Sequence, residues 1–233
     1  MRNVGIAGTG ICLPQRAVTN DDLAKIVDTS DEWIAQRTGI RMRYFASEQE
    51  RPADMAVAAA RIALERSGLV PGDVDLILVA STIPDYKVPI TACLVQEMLG
   101  IPAGRAGGFD MNAACCGFTF ALNTAWHFVA QGTVENALVV GTERLSSFLD
   151  FQDRASCILF GDGAGAVVVR PLEKAGRGQI LSSSMRLQGD FDVPHVLPGG
   201  AAPPDTVERV EAREHLLVPH GRHIFRFPLR PFA

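Results

Sequence analysis

The 233-residue sequence lacks the features that would assign it to a nucleic-acid-binding or membrane protein. Its net charge is −4, so it offers no general attraction to nucleic acid or to an anionic bilayer. Only three of its 22 basic residues are lysines, and the arginines that make up the rest suit local contacts with a phosphorylated ligand. No apolar run approaches the roughly 18 residues that a membrane-spanning helix needs, and no secretory leader is recognisable. We therefore expect neither a nucleic-acid nor a membrane partner.

Cysteine spacing excludes two further classes. The five cysteines form no C-x-x-C pair, and no histidine lies at metal-ligand spacing from any of them. We expect no metal, no disulfide framework, and a reducing cytoplasmic location.

Glycine-rich segments do not form a nucleotide-binding loop. The run Gly161-x-Gly163-x-Gly165 is followed by a valine-rich strand pattern, whereas a dinucleotide fingerprint requires a helix there. No Gly-Lys-Ser/Thr is present to support a P-loop, and Pro14 interrupts any helix after Gly8 and Gly10. Close packing of the main chain is the simpler interpretation of these glycines.

What the sequence does contain is an alternation of strand and helix patterns. The continuous apolar run at 76–80 is typical of a strand covered on both faces. The predicted strands are 4–10, 76–80, 106–111, 137–140, 166–170, 179–185 and 216–218, and the predicted helices are 54–67, 89–99 and 115–131, with a turn at 173–178, a loop at 189–204 and a helix start at 222. This order predicts an α/β fold of parallel β-α-β units with helices on both faces of the sheet.

Two adjacent cysteines lie where one predicted strand ends and a helix begins. Cys115 and Cys116 stand in Asn-Ala-Ala-Cys-Cys-Gly-Phe, and small neighbours leave a sulfur approachable. A thiol at a helix N-terminus is favoured as the nucleophilic thiolate. Free cysteines are more often buried apolar residues, however, and helical spacing directs one of this pair towards an opening and the other towards the packing side. These residues alone do not decide which cysteine reacts, and a strained vicinal disulfide is not expected.

Several segments in this order resemble β-ketoacyl-acyl carrier protein synthase III, a condensing enzyme of the thiolase superfamily that starts fatty acid synthesis. The matching stretches are 27–34 with 37–40, 92–93 with 98–101, 113–115 with 117–118, 137–141, and 160–166. The resemblance implies a thiolase-like layered αβαβα fold. It also implies a cysteine that takes an acyl group from acyl-CoA, followed by condensation with malonyl-acyl carrier protein.

The resemblance also implies roles for particular residues. Cys115 matches the nucleophile of the family, and Cys116 falls where the family usually has a small residue. Trp33 and Arg37 resemble the pair that sandwiches the adenine of coenzyme A, and Thr29 lies nearby. In the same way, Arg154 resembles a second adenine or phosphate contact, and Val88 matches a position that reaches across a homodimer interface. Acyl-CoA is then a substrate, and no cofactor is expected.

The family also uses a histidine and an asparagine from the second half of its fold, and neither is recognisable here. His220 follows Val-Pro as that histidine does, but Gln-Ala-Asn does not follow it, so we do not assign it. His127 is interpreted as a packed residue, and His195 has no evident partner. We expect a complete N-terminal half over 1–172, an incomplete C-terminal half over 173–233, and an impaired condensing step.

Two alternatives remain open. The same fold and nucleophile serve polyketide or secondary-metabolite starter synthases, which differ in the acyl group that they accept. A chain without the condensing groups could instead act only as an inactive fragment that dimerises with a full-length synthase.

Overall fold

The computed structural model describes residues 1–186 and 206–217. Within these residues the strands are β1 (Val4–Cys12), β2 (Arg16–Thr19), β3 (Met42–Phe45), β4 (Leu76–Ala80), β5 (Gly107–Met111), β6 (Ala137–Arg144) and β7 (Asp162–Pro171). The helices are α1 (Asn20–Ala24), α2 (Asp31–Thr38), α3 (Pro52–Ser67), α4 (Thr91–Leu99), α5 (Gly117–Ala130), α6 (Arg154–Cys157), α7 (Leu172–Ala175) and α8 (Val207–Glu211).

The chain divides into two compact units. Among the described residues, the first comprises 1–16, 46–144 and 162–185, and the second comprises 17–45, 145–161, 186 and 206–217. Each unit is therefore assembled from segments that are distant in the sequence. The division at residue 172 expected from the family resemblance stays a prediction.

The first unit contains a five-stranded sheet in the order β1-β7-β6-β4-β5. Strand β4 pairs in parallel with both β5 and β6, as the alternating pattern predicts. Strand β7 pairs antiparallel with β1 and with β6, so the prediction of parallel strands is wrong for β7. Apolar periodicity reports which faces of a strand are buried and carries no information on its direction.

Helices cover both faces of this sheet. Ile77 and Val79 of β4 belong to an apolar cluster that also contains side chains of α3 and α4. Leu76 and Leu78 of the same strand belong to a second cluster with side chains of α5. Because successive side chains of a strand point to opposite faces, this division confirms the prediction of a sheet buried on both sides.

Two glycines of β1 allow α3 to approach the strand. A Cβ atom on Gly8 would lie 2.2 Å from the carbonyl oxygen of Ala63, and one on Gly10 would lie 2.0 Å from that of Ala59. Such distances are far inside van der Waals contact, so only glycine fits. The interpretation of these glycines as packing residues is confirmed.

The second unit is built from short elements that periodicity did not predict. Strands β2 and β3 form a two-stranded sheet, and α1, α2 and α6 contribute to one apolar cluster. The cluster includes the fully buried side chains of Leu23, Ile34 and Cys157. Elements of four to eight residues give too few apolar positions for a period to be recognised.

Several predicted boundaries need correction. The helix predicted at 115–131 begins at Gly117, and a 3-10 turn over Ala114–Cys116 precedes it. The predicted strand at 179–185 is wrong, because only Gln179 forms a bridge, to Gly5. The turn predicted at 173–178 is partly helical, since α7 continues to Ala175. Of the strand predicted at 216–218, Leu217 forms one bridge, and the helix start at 222 lies outside the described residues.

Candidate active site

Cys115 lies in the turn that joins β5 to α5 in the first unit. Strand β5 ends at Met111, beside the last residue of β4. The side-chain oxygen of Asn112 then accepts a hydrogen bond from the Ala114 amide at 3.2 Å, and the Ala113 carbonyl accepts one from the Cys116 amide at 3.0 Å. These short-range bonds hold the cysteine at the N-terminal end of α5.

The turn contains an unusual backbone conformation. Ala114 has a φ of 45°, in the left-handed region that disfavours residues with a Cβ atom. A conformation of this kind costs on the order of 1 kcal/mol and persists only where the surrounding structure enforces it. The residue directly before Cys115 is therefore held in a strained shape.

Both cysteine side chains of this turn are exposed. Cys115 and Cys116 are both exposed free thiols, so the expectation that one of them faces the packing side is wrong. The reason is that both cysteines belong to the 3-10 turn that precedes α5, so helical spacing does not apply to them. Gly117, the first residue of α5, is also its first buried residue. A Cβ atom on Gly117 would lie 3.3 Å from that of Ala80, so the helix starts close against β4.

Two carboxylates that sequence reasoning missed support the loops at this end of the sheet. Asp110, in β5, accepts hydrogen bonds from the amides of Thr91 at 2.6 Å and Ala92 at 2.8 Å. It thereby caps α4, whose own N-cap residue provides no side-chain acceptor. The available signal was an aspartate inside an apolar strand pattern.

Glu143, at the end of β6, is the second of these carboxylates. It accepts hydrogen bonds from the amides of Thr82 at 2.6 Å and Ile83 at 3.3 Å, just beyond the end of β4. Burial raises the pKa of Glu143 above its ordinary value, and the two amide hydrogen bonds oppose that rise. No sequence pattern indicates this role.

Trp33, Arg37 and Arg154 meet in the second unit. Ser30 caps α2 by accepting a hydrogen bond from the Trp33 amide, and Gly39 ends the helix in the left-handed conformation. Trp33 and Arg37 lie one helical turn apart, and the guanidinium carbon of Arg37 is 4.3 Å from the centroid of the indole. The guanidinium carbon of Arg154, from α6, is 4.6 Å from the same centroid. Two cations thus stack on one aromatic ring.

Thr29 lies just before α2 and carries a hydroxyl oxygen that is shielded from solvent. That oxygen has no hydrogen-bond partner within the described part of the chain. Asp28 next to it accepts a hydrogen bond through its main-chain carbonyl from Arg154 Nη1 at 3.1 Å. A planar, hydrogen-bonding ligand would find an aromatic face, two guanidinium groups and a hydroxyl in this region.

The structure thus places Cys115 in the first unit and brings Trp33, Arg37 and Arg154 together in the second, with Thr29 next to Asp28. His127 is exposed at the last turn of α5, with its ring 5.0 Å from that of Trp126, so its interpretation as a packed residue is wrong. His195 and His220 lie outside the described residues. Among the residues described, no group of three or more potential metal ligands occurs, and no helix is both long and apolar enough to cross a bilayer.

Comparisons with known proteins agree on one class of condensing enzyme. The model of the family 3-Oxoacyl-[acyl-carrier-protein (ACP)] synthase III matches residues 109–189, which include the Cys115 turn. The β-ketoacyl-acyl carrier protein synthase III of Clostridium acetobutylicum is 46% identical over 231 residues, which is 99% of this chain and 69% of that protein.

Solved structures give the same result. The crystal structure of 3-oxoacyl-(acyl carrier protein) synthase III from Pseudomonas aeruginosa aligns with a TM-score of 0.83 at 34% identity, covering 96% of this chain and 66% of that one. A priming β-ketosynthase from a polyketide biosynthetic pathway aligns with a TM-score of 0.77 at 35% identity, covering 97% and 65%. This chain thus spans roughly two thirds of the length of these proteins.

The fold and these matches define a thiolase-like condensing enzyme. The chain belongs to the β-ketoacyl-acyl carrier protein synthase III family. The predictions of this family, of its mixed α/β fold and of an acyltransferase that serves fatty acid biosynthesis are confirmed.

Proposed function

We propose that Cys115 accepts an acyl group from acyl-CoA as the first half of a synthase III reaction. The Cys115 thiolate attacks the thioester carbonyl carbon, the bond from that carbon to the coenzyme A sulfur breaks, and coenzyme A leaves as its thiolate. The observation that carries this proposal is the exposed sulfur in the strained turn at the N-terminal end of α5. The first main-chain N–H groups of α5 lack helical partners there, and no side chain caps them.

In the second half-reaction, malonyl-acyl carrier protein loses carbon dioxide, and the resulting enolate attacks the acyl carbon on Cys115. A carbon–carbon bond forms, and the cysteine leaves as the thiolate, ready for another acyl-CoA. A single-turnover assay with pre-acetylated chain and malonyl-acyl carrier protein measures this step separately. It also checks the expectation that condensation is impaired.

Intact-mass and peptide analysis after incubation with acetyl-CoA tests the first step. We expect one acetyl group on Cys115, released by hydroxylamine as a thioester is. The Cys115→Ser variant is expected to lose the adduct completely, and the Cys116→Ser variant is the matched control because its thiol is exposed as well. An adduct on Cys116, or none at all on folded protein, contradicts the proposal.

We also propose that Trp33, Arg37, Arg154 and Thr29 bind the adenine nucleotide of coenzyme A. The two guanidinium groups supply planar cations for stacking on a flat base or for pairing with phosphate. The shielded Thr29 hydroxyl supplies a hydrogen-bonding group that is otherwise unused in the described residues.

The chain offers a clean reporter for this binding. It has two tryptophans, and the Trp126→Phe variant leaves Trp33 as the single indole. Coenzyme A is expected to change the fluorescence of Trp33, and Arg37→Leu or Arg154→Leu to weaken binding by roughly 10-fold each. Arg66→Leu, an exposed arginine of α3, is the matched control and is expected to bind normally. Unchanged affinity in both stacking variants would contradict the assignment.

We propose a homodimer as the working assembly. Strand β5 lies at the edge of the sheet, and its Gly107, Gly108 and Phe109 are exposed. Val88 in the same unit is 84% exposed. An exposed edge strand with an aromatic side chain is suited to pairing with a second copy. Sedimentation is expected to give a dimer that Phe109→Lys disrupts and that Leu181→Lys, a control at an 81% exposed position, leaves intact.

The fatty acid pathway is the first candidate because the relatives are named β-ketoacyl-acyl carrier protein synthase III, the class of condensing enzyme that starts fatty acid synthesis. The likeness to a priming polyketide β-ketosynthase supports the second candidate, a starter enzyme that accepts another acyl group. Acylation rates of Cys115 with a series of acyl-CoA chain lengths separate the two. A cytoplasmic location, expected from the cysteine content, is part of the same proposal.

A further inference from the structure

Arg43 is a buried cation without a carboxylate partner in the described part of the chain. It is 6% exposed, and its guanidinium donates to three oxygens of the second unit. Nη1 donates to Asn20 Oδ1 at 2.8 Å and to the Val18 carbonyl at 3.4 Å, and Nη2 donates to the Ile158 carbonyl at 3.0 Å. Burying a charge whose only partners are neutral acceptors costs free energy, so stability alone does not explain an arginine at this position.

Asn20, whose side-chain oxygen accepts a hydrogen bond from Arg43, also donates hydrogen bonds at both ends of α2. It is 1% exposed, and its Nδ2 donates to Asp31 Oδ1 at 2.7 Å and to the Ile40 carbonyl at 2.8 Å. Asp31 is the first residue of α2, and Ile40 follows the glycine that ends it. One amide group therefore fixes the start and the end of the helix that carries Trp33 and Arg37.

The other side of Arg43 holds α6. Ile158, whose carbonyl accepts from Nη2, is the C-cap residue of this helix, and Arg154 is its first residue. The path from Asn20 through Arg43 to Ile158 thus connects the helix of Trp33 with the helix of Arg154. A planar guanidinium sets both the distance and the orientation between its acceptors, which a flexible ammonium does not.

We propose that Asn20 and Arg43 are positioning residues for coenzyme A binding, because together they fix α2 and set its separation from α6, at which Trp33 meets Arg154. Neither residue contacts the ligand in this proposal. A helix pair held in place before binding loses less conformational freedom when the nucleotide arrives. The inference rests on the proposed nucleotide site and adds the support that aligns it.

The test compares ligands with and without the nucleotide. In the Trp126→Phe background, coenzyme A binding is measured from Trp33 fluorescence, and Cys115 acetylation is measured with S-acetyl-pantetheine, a thioester that lacks the nucleotide. Arg43→Met removes the bridge, and Arg43→Lys keeps the charge but not the planar fork. Arg41→Met is the matched control, since it removes a nearby exposed cation that pairs with Asp31 Oδ2 at 3.4 Å.

We expect both Arg43 variants to bind coenzyme A roughly 10-fold more weakly, as hydrogen-bonded supports of binding groups do. Their acetylation by S-acetyl-pantetheine is expected to stay within about twofold of the parent, since that ligand makes no use of the site. Arg41→Met is expected to behave as the parent in both assays. If Arg43→Met does not fold, Arg43→Lys carries the test.

Two results would overturn the inference while leaving the nucleotide site standing. One is normal coenzyme A affinity in both Arg43 variants. The other is an equal loss with both ligands, which indicates a role in folding only. Absence of any Trp33 response in the parent protein is a different failure, because it removes the nucleotide site itself and the inference with it.

Discussion

The two units of this chain are stabilised by different means. The first is held by apolar burial, because its central strand β4 is buried at every position and helices cover both faces of the sheet. The second has a smaller apolar cluster and relies on a buried polar path through Asn20 and Arg43. Each unit also carries one of the two tryptophans, Trp126 in the first and Trp33 in the second. The proposed nucleophile therefore lies in the unit with the larger apolar core, and the proposed nucleotide site lies in the unit that depends on buried hydrogen bonds.

The largest effect on stability is expected at the close contact between the main chains of β1 and α3 in the first unit. Gly10→Val places a side chain at a position where even a Cβ atom would lie 2.0 Å from the Ala59 carbonyl oxygen. We expect the free energy of unfolding to fall by at least about 4 kcal/mol, at the upper end for overpacking. Urea unfolding followed through Trp126 in the Trp33→Phe background measures it. Gly72→Ala, with no atom within 4 Å of the new Cβ, is the control, and an equal effect there would show that the contact is unimportant.

Truncation of the apolar core tests the same unit with a smaller change. Leu78 of β4 is fully buried, and Leu78→Ala removes its side chain from a packed site. A loss of about 3 kcal/mol is expected from lost burial and the resulting cavity. The exposed Leu181→Ala serves as the control. A loss below about 1 kcal/mol in Leu78→Ala would mean that the sheet core is looser than its burial implies.

Loss of the polar path tests the second unit. Asn20→Ala removes one of the three acceptors of Arg43 and both hydrogen bonds that Nδ2 donates to the ends of α2, and it leaves the cation buried with fewer partners. We expect a loss of about 2 kcal/mol. The Trp33 fluorescence transition is expected to shift more than the Trp126 transition. If both shift equally, the two units unfold as one, and the contrast between them does not extend to unfolding.

The smallest effect concerns a single buried carboxyl group of the first unit. Burial raises the pKa of Glu143, so between its ordinary 4.5 and the raised value the folded state binds more protons than the unfolded state. Stability from this group therefore falls as the pH rises through that window. Relative to Glu143→Gln, the wild-type chain is expected to lose stability as the pH rises from 4 to 7, by less than Asn20→Ala costs. A constant difference across that range would contradict the assignment.

Periodicity predicted the first unit well and the second hardly at all. Long strands and helices such as β4 and α3 repeat their apolar positions often enough to be recognised, and buried faces follow from that repetition. The direction of β7 depends on tertiary contacts, which no local pattern encodes, and the three-residue 3-10 turn at Cys115 is too short to show a period. In the second unit, Trp33 and Arg154 were identified only through the family resemblance. They are candidate site residues because their side chains stack on each other, and these residues lie 121 positions apart in the sequence (33 and 154).

The support of the proposed nucleotide site was not predicted either. Asn20 and Arg43 are single polar residues beside short elements, and each reads as an ordinary surface residue in the sequence. Their burial becomes visible only when segments 17–45 and 145–161 are assembled into one unit. The roles of Thr29, Trp33, Arg37, Arg154 and Cys115 stay predictions.

The left-handed conformation of Ala114 has a consequence for directed evolution, because selection for stability and selection for activity favour different residues at this position. A glycine there would relax the main chain without strain, so selection for heat resistance alone favours that exchange. A turn with glycine at this position would also sample more backbone conformations, so the sulfur of Cys115 would occupy its position less consistently. Screens that score survival on heating and acyl transfer together are therefore expected to retain the alanine.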